Sequence, residues 1–327
     1  MPDALASYLL FLAKAGTLVV ATGALLALWA AAVRGGARPA ERLEVKNLNR
    51  RHEGLRQAVR GAMMPRRQLG RLLRRERKER GARPAERRRV FVIDFRGDIR
   101  ATGVAALREE VSAVLSEAGA ADEVLVRLEN AGGLVHEHGL AASQLARVRD
   151  RGVPLTVAVD KVAASGGYLM ASVADRILAA PFAVVGSIGV LAQVPNFHRL
   201  LERHGVDFEQ VKAGQFKRTV TLFGETTEED RAKLREQVEE TQGLLKEFIR
   251  RYRPGLDLER VSTGEYWHGT QALELGLVDE LTTSDDYMIA VMEEADVYKV
   301  RFAVRKRLSD RMISAVRSAA APRFLDS

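Results

Sequence analysis

The chain opens on a long apolar stretch. Ala15 to Val33 is a run of 19 residues without a charge, and a helix of that length can span a bilayer. A cleavable signal peptide has a positively charged start and a small-residue cleavage site. This stretch instead follows Met1-Pro2-Asp3 and runs directly into arginines. The pattern therefore predicts a retained N-terminal transmembrane helix over residues 1–34, rather than a signal peptide or a buried core helix.

Beyond Val90, short apolar runs alternate with segments whose apolar residues recur at helical spacing. The runs predict strands, and spacings of three and four residues predict helices. Because this alternation is typical of parallel βαβ crossovers, we expect an α/β fold. The first predicted elements are strands at Val90–Phe95, Glu123–Glu129 and Leu155–Asp160, with helices at Gly103–Glu117 and Gly139–Arg149.

The second half of the chain has a less regular pattern. It predicts a strand at Arg176–Ala180, an apolar stretch at Val184–Val190, a short helix at Asn196–His204 and a strand at Phe208–Val211. One long charged helix follows over Thr226–Arg253. Its opening Thr-Thr-Glu-Glu combines capping residues with first-turn acids, which is typical of a helix start.

Charge divides the chain into segments. The formal net charge is +8, but Arg34 to Arg89 alone carries 20 basic and 6 acidic residues, a balance of +14, so the remainder is −6. A basic block beside an acidic body favours a tether near anionic lipid. Specific nucleic-acid binding is not expected, because the block has no aromatic residue to stack on bases. We predict an anchor at 1–34, a basic linker, partly helical or disordered, at 35–89, a folded body at 90–300 and a basic tail at 301–327.

Composition limits the chemistry that this chain can use. With 46% hydrophobic and 29% charged residues among 327, it can form an ordinary globular core. There is no cysteine, which excludes disulfides, thiolate metal ligands and cysteine nucleophiles. A covalent catalyst would have to be Ser, Thr, Lys or a carboxylate. No motif indicates a metal ion or another cofactor, and none is expected.

Candidate chemistry lies where glycines interrupt the apolar strands. Ser165 follows a predicted strand and precedes Gly166-Gly167 and an Ala-rich segment. Such a strand-to-helix turn exposes a hydroxyl, and the glycines let a substrate approach; spacing alone favours a helix N-cap serine. Gly132-Gly133 follows another strand, either as a tight turn or with amide groups aimed at an oxyanion.

Three segments carry a resemblance to a known family. They are Ala163-Ala164-Ser165-Gly166-Gly167-Tyr168, Val185-Gly186-Ser187-Ile188-Gly189-Val190 and Ala213-Gly214-Gln215-Phe216-Lys217-Arg218. In this order and at these separations they resemble signature segments of the SppA/SohB family of signal-peptide peptidases, with the SohB branch the more similar. The resemblance is good over residues 90–300 and looser over the N-terminal third.

This resemblance implies a crotonase-like (ClpP-type) fold of repeated ββα units and a serine–lysine dyad. Ser165 would be the nucleophile and Lys217 the general base, with Ser187 holding the lysine amine through a hydrogen bond. Gly132 matches the glycine of the oxyanion hole, and the amide of Gly166 or Gly133 would supply a second donor. Family members form rings, so a homo-oligomer is expected, in which a lysine reaches either its own serine or that of a neighbour.

Three lysines compete for the role of base when only the residues are considered. A free lysine amine is protonated at neutral pH and cannot accept a proton, so the base has to be desolvated. Phe216 and the downstream Val220 and Leu222 are consistent with an apolar pocket around Lys217. Lys161 and Lys212 are the alternatives, and only the resemblance selects Lys217.

The oxyanion turn departs from the family pattern. The family has Ser-Pro-Gly-Gly, whereas this chain has Asn130-Ala131-Gly132-Gly133. Loss of the proline frees the unfolded chain at a cost of ~0.4–1 kcal/mol of stability.

Histidine chemistry is not expected near this turn. His136 and His138 follow it with no third metal ligand in view, so we expect polar rim residues. A Ser-His-Asp triad would draw on His198 or His204, but both lie on a helix predicted to pack against the sheet.

The sequence therefore predicts a membrane-anchored serine endopeptidase that cleaves hydrophobic peptides such as signal-peptide remnants through an acyl-enzyme on Ser165. The alternatives are a crotonase-type acyl-CoA enzyme and a noncatalytic membrane scaffold that binds anionic lipid. An inner-membrane, single-pass location is expected. The positive-inside rule places the body in the cytoplasm, whereas the resemblance implies the periplasmic side.

Overall fold

The computed structural model describes residues 8–23, 41–81 and 87–304. The chain divides into two compact units, residues 1–42 with 303–327, and residues 43–302. Residues 8–23 are helical (α1). The rest of the predicted anchor, including residues 24–34, lies outside the described residues. Within the described ranges, no helix has the length and apolar character needed to cross a membrane.

A mixed α/β body contains the remaining elements. Its strands are β1 (Glu41–Asn47), β2 (Arg89–Arg96), β3 (Glu123–Glu129), β4 (Leu155–Val159), β5 (Val162–Ala164), β6 (Arg176–Ala179), β7 (Val184–Gly186), β8 (Tyr266–His268), β9 (Glu280–Leu281) and β10 (Asp296–Val304). Its helices are α2 (Leu48–Met63), α3 (Arg66–Gly81), α4 (Val104–Leu115), α5 (Val135–Asp150), α6 (Gly166–Ala171), α7 (His198–Arg203), α8 (Glu228–Tyr252), α9 (Leu258–Val261), α10 (Gly269–Glu274) and α11 (Ser284–Glu294).

The main sheet has seven strands in the order β1-β10-β2-β3-β4-β6-β9. The pairs from β10 through β9 are parallel, as the alternation of strands and helices predicts. Both faces of its centre are buried. Phe91 and Ile93 of β2 point into one apolar cluster with α4, α5 and α6, while Val90 and Val92 point into a second with Met288 of α11. Near-continuous apolar strands result because a parallel sheet is covered on both sides.

A second sheet of three short strands, β5-β7-β8, stands apart from the main one. β5 and β7 are parallel and β7 and β8 antiparallel. Only Lys161 and Asp160 separate β4 from β5, so the chain passes directly from the large sheet to the small one. The turn after β5 leads into α6, and this junction carries Ser165.

Segment 35–89, which the charge pattern predicts to be a linker, contains β1, α2 and α3 in the structure. β1 forms an edge of the main sheet. The Asn49 side chain ties α2 to the β10 region, because Nδ2 donates to Ala295 O at 2.9 Å and Oδ1 accepts from Val297 N at 2.7 Å. β10 itself runs to Val304, into the predicted tail. These long-range contacts are invisible to a local charge pattern.

Two local predictions have opposite outcomes. The long charged helix is confirmed as α8, and Thr227 caps it in a reciprocal box with Asp230. The strand predicted at Phe208–Val211 is wrong, since these residues have no strand structure. Phe208 and Val211 are exposed, and no strand lies beside them, so their apolar character does not reflect burial in a sheet of this chain.

Candidate active site

Ser165 occupies a strained turn between β5 and α6. Its backbone has φ +53° and ψ −119°, a region that non-glycine residues rarely adopt and that costs about 1–3 kcal/mol. Its side chain makes no capping hydrogen bond to the helix. Ser165 thus occupies the N-cap position that spacing alone favours, but its half-buried hydroxyl does not cap the helix.

Ser187 lies beside Ser165 because β5 and β7 run in parallel. Ala164 pairs with Gly186 at the end of the two strands, and each serine follows directly. The Ser165 N–H donates to the Gly186 carbonyl at 2.8 Å, and the Ser187 N–H donates to Glu265 O at 2.6 Å. Ser187 also has a positive φ, +49°. The two serines thus follow neighbouring strand ends, and the role that the resemblance implies for Ser187, holding the lysine amine, stays a prediction.

The glycine turn that follows β3 packs against the same serine. Gly132 has φ +90°, and a Cβ placed on it would lie 2.7 Å from Ser165 Cβ and 2.9 Å from Gly166 N. An isolated parallel bridge between Asn130 and Ala163 holds the start of the turn to β5. Only glycine fits here, because a side chain would meet backbone-bound atoms that cannot rotate away.

The amide groups around Ser165 differ in their partners. The Gly132 N–H donates to the Asn130 side-chain oxygen at 2.9 Å, so the donor that the resemblance implies for the oxyanion hole is already engaged. The N–H groups of Gly133 and Gly166 have no hydrogen-bond acceptor in the described part of the chain. One of these amides directly follows Ser165, and the other lies in the turn that packs against it.

The structure distinguishes the three candidate lysines, and no hydrogen bond joins Lys217 to Ser165 among the described residues. Lys161 forms an ion pair with Glu129 at 3.1 Å, and Lys212 donates to the Arg218 carbonyl at 3.3 Å. Lys217 lies in an exposed segment, and its amine has no hydrogen bond or ion pair with any described residue. The lysine that the resemblance selects is thus the unengaged one of the three.

The apolar pocket expected around Lys217 does not form within one chain. Phe216 and Leu222 are about two-fifths exposed, at 39% and 43%, and Val220 is only half-buried. The ring of Phe216 instead faces the Lys233 amine, 5.4 Å from the ring centre. Within the described residues, the serine is therefore half-buried and this lysine is exposed.

The histidines are placed differently from expectation. His136 is exposed, but His138 is completely buried, so the rim interpretation is wrong for His138. Its Nδ1 lies 3.0 Å from Leu134 O and its Nε2 lies 3.2 Å from the Asn130 side-chain oxygen. No local sequence pattern predicts the contact between Asn130 and His138. Its one trace in the sequence is that Asn130 stands where the family has a serine.

Other residues complete the surroundings of the site. His198 and His204 make no side-chain hydrogen bond in the described ranges, which leaves the triad without support. No group of three metal-ligating side chains occurs among the residues that the structure describes. The Tyr168 hydroxyl, on the helix that begins after Ser165, donates to Leu277 O at 3.0 Å. Burial raises the pKa of Tyr168 far above its ordinary value, so this hydroxyl stays a neutral anchor.

Apolar side chains line the outer edge of the glycine turn. The Leu134 N–H donates to Ile99 O at 2.9 Å, which joins the turn to the loop after β2. Ile99 is 71% exposed, and Leu134 and Val135 are also exposed. An exposed apolar surface therefore lies beside the serine and its free amides.

A strained serine close to unengaged backbone amides, in an α/β body, is typical of nucleophilic serine sites. Comparison with known proteins gives the family. "Peptidase family S49" matches residues 147–298, and "Peptidase family S49 N-terminal" matches residues 3–145. The chain belongs to peptidase family S49, which confirms the resemblance to the SppA/SohB peptidases.

Relatives that carry the SohB name are similar over much of the chain. "Probable protease SohB" of Haemophilus influenzae is 56% identical over 219 residues, 67% of this chain and 62% of that protein. The protein of the same name from Buchnera aphidicola subsp. Acyrthosiphon pisum is 51% identical over 230 residues, 70% of this chain and 68% of that protein. The chain thus covers a little under two thirds of the Haemophilus relative's length.

One solved structure with a similar fold is a mutant of the 1510-N membrane-bound stomatin-specific protease, in complex with a substrate peptide. It has a TM-score of 0.40 and 11% sequence identity, with coverage of 71% of this chain and 99% of that one.

Proposed function

We propose that this chain is a serine endopeptidase that forms an acyl-enzyme on Ser165. The observation that carries the proposal is the strained, uncapped turn of Ser165 beside two unengaged amides. The Ser165 oxygen attacks the peptide carbonyl while its proton passes to an uncharged lysine amine. The lysine then protonates the departing amine, and water hydrolyses the ester in a second step with the same base.

The amides of Gly133 and Gly166 form the oxyanion hole in this proposal. The negative oxygen of the tetrahedral intermediate accepts a hydrogen bond from each of them. Gly132 has a different role, since its N–H is held by Asn130. Its missing side chain is what lets the turn approach Ser165. Such preorganised donors stabilise charge that develops only in the transition state.

Lys217 supplies the base, and we propose that it reaches the Ser165 of a neighbouring copy. The body holds the serine, but the segment with Lys217 is rich in apolar side chains that the described residues leave exposed. These exposed residues are Leu191, Phe197, Leu200, Val206, Phe208, Val211, Phe216, Leu222 and Phe223. Packing this surface against another copy in a homo-oligomer would desolvate the amine, which favours its neutral form.

The substrates of this proposal are hydrophobic peptides, such as remnants of signal peptides. The exposed apolar edge formed by Ile99, Leu134 and Val135 next to the serine supports such substrates. The uncharged run from Ala15 to Val33 supports attachment to the inner membrane, where these peptides would be released. The succession of β2-α4, β3-α5 and β4-β5-α6 units supports a crotonase-like arrangement.

The test uses the full chain and a fluorogenic hydrophobic peptide. Ser165→Ala and Lys217→Ala should each abolish hydrolysis, while Lys212→Ala, a matched control on the same exposed segment, should keep it. Full activity of the Ser165 variant would exclude the acyl-enzyme. A covalent serine probe should label wild type at Ser165, a reaction that neither an acyl-CoA enzyme nor a lipid-binding scaffold predicts.

Mixing tests whether the dyad forms between subunits. If Lys217 acts on a neighbour, combining the two inactive variants under conditions of subunit exchange should restore part of the activity. Ser165→Ala then provides the lysine and Lys217→Ala provides the serine. Mixed oligomers that stay inactive would place the dyad within one chain. Protease accessibility of the body in spheroplasts would show which side of the membrane it occupies.

A further inference from the structure

A buried polar pair lies directly behind the glycine turn. The Asn130 side-chain oxygen accepts from Gly132 N at 2.9 Å and lies 3.2 Å from His138 Nε2. The Asn130 amide nitrogen faces Met170 Sδ at 3.3 Å, and His138 Nδ1 lies 3.0 Å from Leu134 O. Both polar atoms of the Asn130 side chain therefore have a partner. Both ring nitrogens of His138 face oxygen atoms, and a neutral imidazole with its N–H on Nε2 donates to Asn130. The pair connects the glycine turn with the start of α5 and with α6.

Glycines make room for this pair. A Cβ on Gly166 would lie 2.5 Å from Cγ of the His138 ring, and one on Gly97 would lie 2.4 Å from Cγ of Asn130. Gly166 directly follows Ser165, so the imidazole packs against the backbone of the nucleophile turn itself. A shift of either polar side chain would be transmitted to the atoms that surround Ser165.

Burial of these two polar side chains lowers the stability of the fold unless hydrogen bonds compensate. Asn130 is 1% exposed and His138 is fully buried, and buried polar side chains are tolerated only with their hydrogen bonds intact. Apolar residues of similar size would fill the same space without this requirement. Of these polar atoms, the Asn130 side-chain oxygen holds the backbone amide of Gly132 and also faces His138 Nε2.

We propose that Asn130 and His138 are positioning residues that hold the oxyanion turn in place of the family's proline. Asn130 fixes the Gly132 amide, and His138 fixes Asn130, so that the Gly133 and Gly166 amides stay directed at the substrate oxygen. A proline restrains the same turn through its fixed φ of about −65°; here a side-chain hydrogen bond does so. This inference rests on the proposed serine peptidase function.

The key experiment compares two ways of restraining the turn in the full-length protein. Asn130→Ala should lower kcat about 10- to 100-fold with KM within about 3-fold, because the substrate surface is intact but the donors are displaced. Adding Ala131→Pro to that variant should recover most of the loss. The Ala131 N–H makes no hydrogen bond with any described residue, so the proline removes none. Gln144→Ala, also at a buried polar residue and on the same helix as His138, is the control and should keep wild-type kcat.

A double-mutant comparison tests whether the pair works as a unit. His138→Leu should slow kcat as Asn130→Ala does, and the double variant should be no slower than Asn130→Ala alone within about 2-fold. His138→Gln keeps a side-chain N–H and should retain more activity than His138→Leu at equal thermal stability. This variant keeps the test decisive if the leucine variant does not fold.

The outcomes separate this inference from the proposed function. If Ser165→Ala is inactive but Asn130→Ala keeps kcat within 2-fold of wild type, the pairing is overturned and the peptidase stands. Losses that multiply in the double variant, or a proline that rescues nothing, also overturn it. If Ser165→Ala remains active, the peptidase proposal itself fails, whatever the Asn130 variants do.

Discussion

Replacing Gly132 by alanine adds backbone strain and a new contact with Ser165, and comparison with a second glycine variant should separate these two effects. Gly132 has φ +90°, and an L-residue in a left-handed conformation costs roughly 1–2 kcal/mol. The new Cβ would also lie 2.7 Å from Ser165 Cβ, 2.9 Å from Ala164 O and 2.9 Å from Gly166 N. Carbon atoms prefer separations of about 3.5–4.0 Å, so the turn has to retreat by roughly 0.8 Å.

A displacement of this size should affect the catalytic rate much more than the stability of the fold. A displacement of about 1 Å at reacting groups can cost around 100-fold in rate, so Gly132→Ala should lose about 100-fold or more in kcat. The matched control is Gly152→Ala. Gly152 has φ +70° and nothing within 4 Å of a built Cβ, so it introduces comparable backbone strain with no new contact. That variant should lose about 1–2 kcal/mol in stability and keep its kcat.

The measurements are peptidase kinetics with a fluorogenic hydrophobic peptide and urea unfolding of both glycine variants. The reasoning is refuted if Gly132→Ala retains kcat within about 3-fold of Gly152→Ala at similar stability. Equal losses of activity in both variants would likewise show that backbone strain, rather than contact with Ser165, is what matters.

Three further predictions concern the frame of the site. Tyr168→Phe should lower the free energy of unfolding by about 1–3 kcal/mol, measured in urea, because a buried carbonyl loses its donor. Thr227→Ala should cost about 1 kcal/mol through the lost α8 cap, while Thr241→Ala within the same helix should be nearly neutral by thermal melting. Burial opposes ionisation of Asp122, but hydrogen bonds from the Arg89 side chain and backbone N–H groups outweigh it and hold the pKa of Asp122 below its ordinary value. Its contribution is therefore present above about pH 4 and is lost as the pH falls through the folded-state pKa. Asp122→Asn should destabilise the protein at pH 7, and its difference from wild type should shrink as the pH falls below about 4 in urea titrations.

Local patterns predict the central strands and helices of this fold, because short segments there contain the residues that decide which parts are buried and where each element ends. β3 begins and ends where the sequence predicts, at Glu123 and Glu129, since an apolar run between charged residues has one way to be buried. The start of α8 is equally local, because the Thr227 cap and its acidic partner are three residues apart. Ser165 at a strand-to-helix turn follows from the same kind of information.

Features that depend on distant partners escape such patterns. The pairing of β10 with β2 joins Tyr298 to Phe91, and no local spacing indicates it. The same holds for His138, whose burial depends on glycines at 97 and 166 rather than on its own neighbours. Apolar residues at 208–211 resemble a strand in sequence, but an isolated strand without a neighbouring one is not stable. Their exposure shows that they are not part of the core.

The two halves of the proposed dyad thus differ in how they are built. Ser165 and its amides belong to a rigid junction between two sheets, fixed by strand register and by close glycine contacts. Lys217 belongs to an exposed segment whose apolar side chains stay in water in a single chain. On this proposal, assembly completes the site by packing the lysine against a neighbouring copy, away from water. Such an arrangement would confine proteolysis to assembled enzyme, where a membrane anchor would also concentrate the subunits.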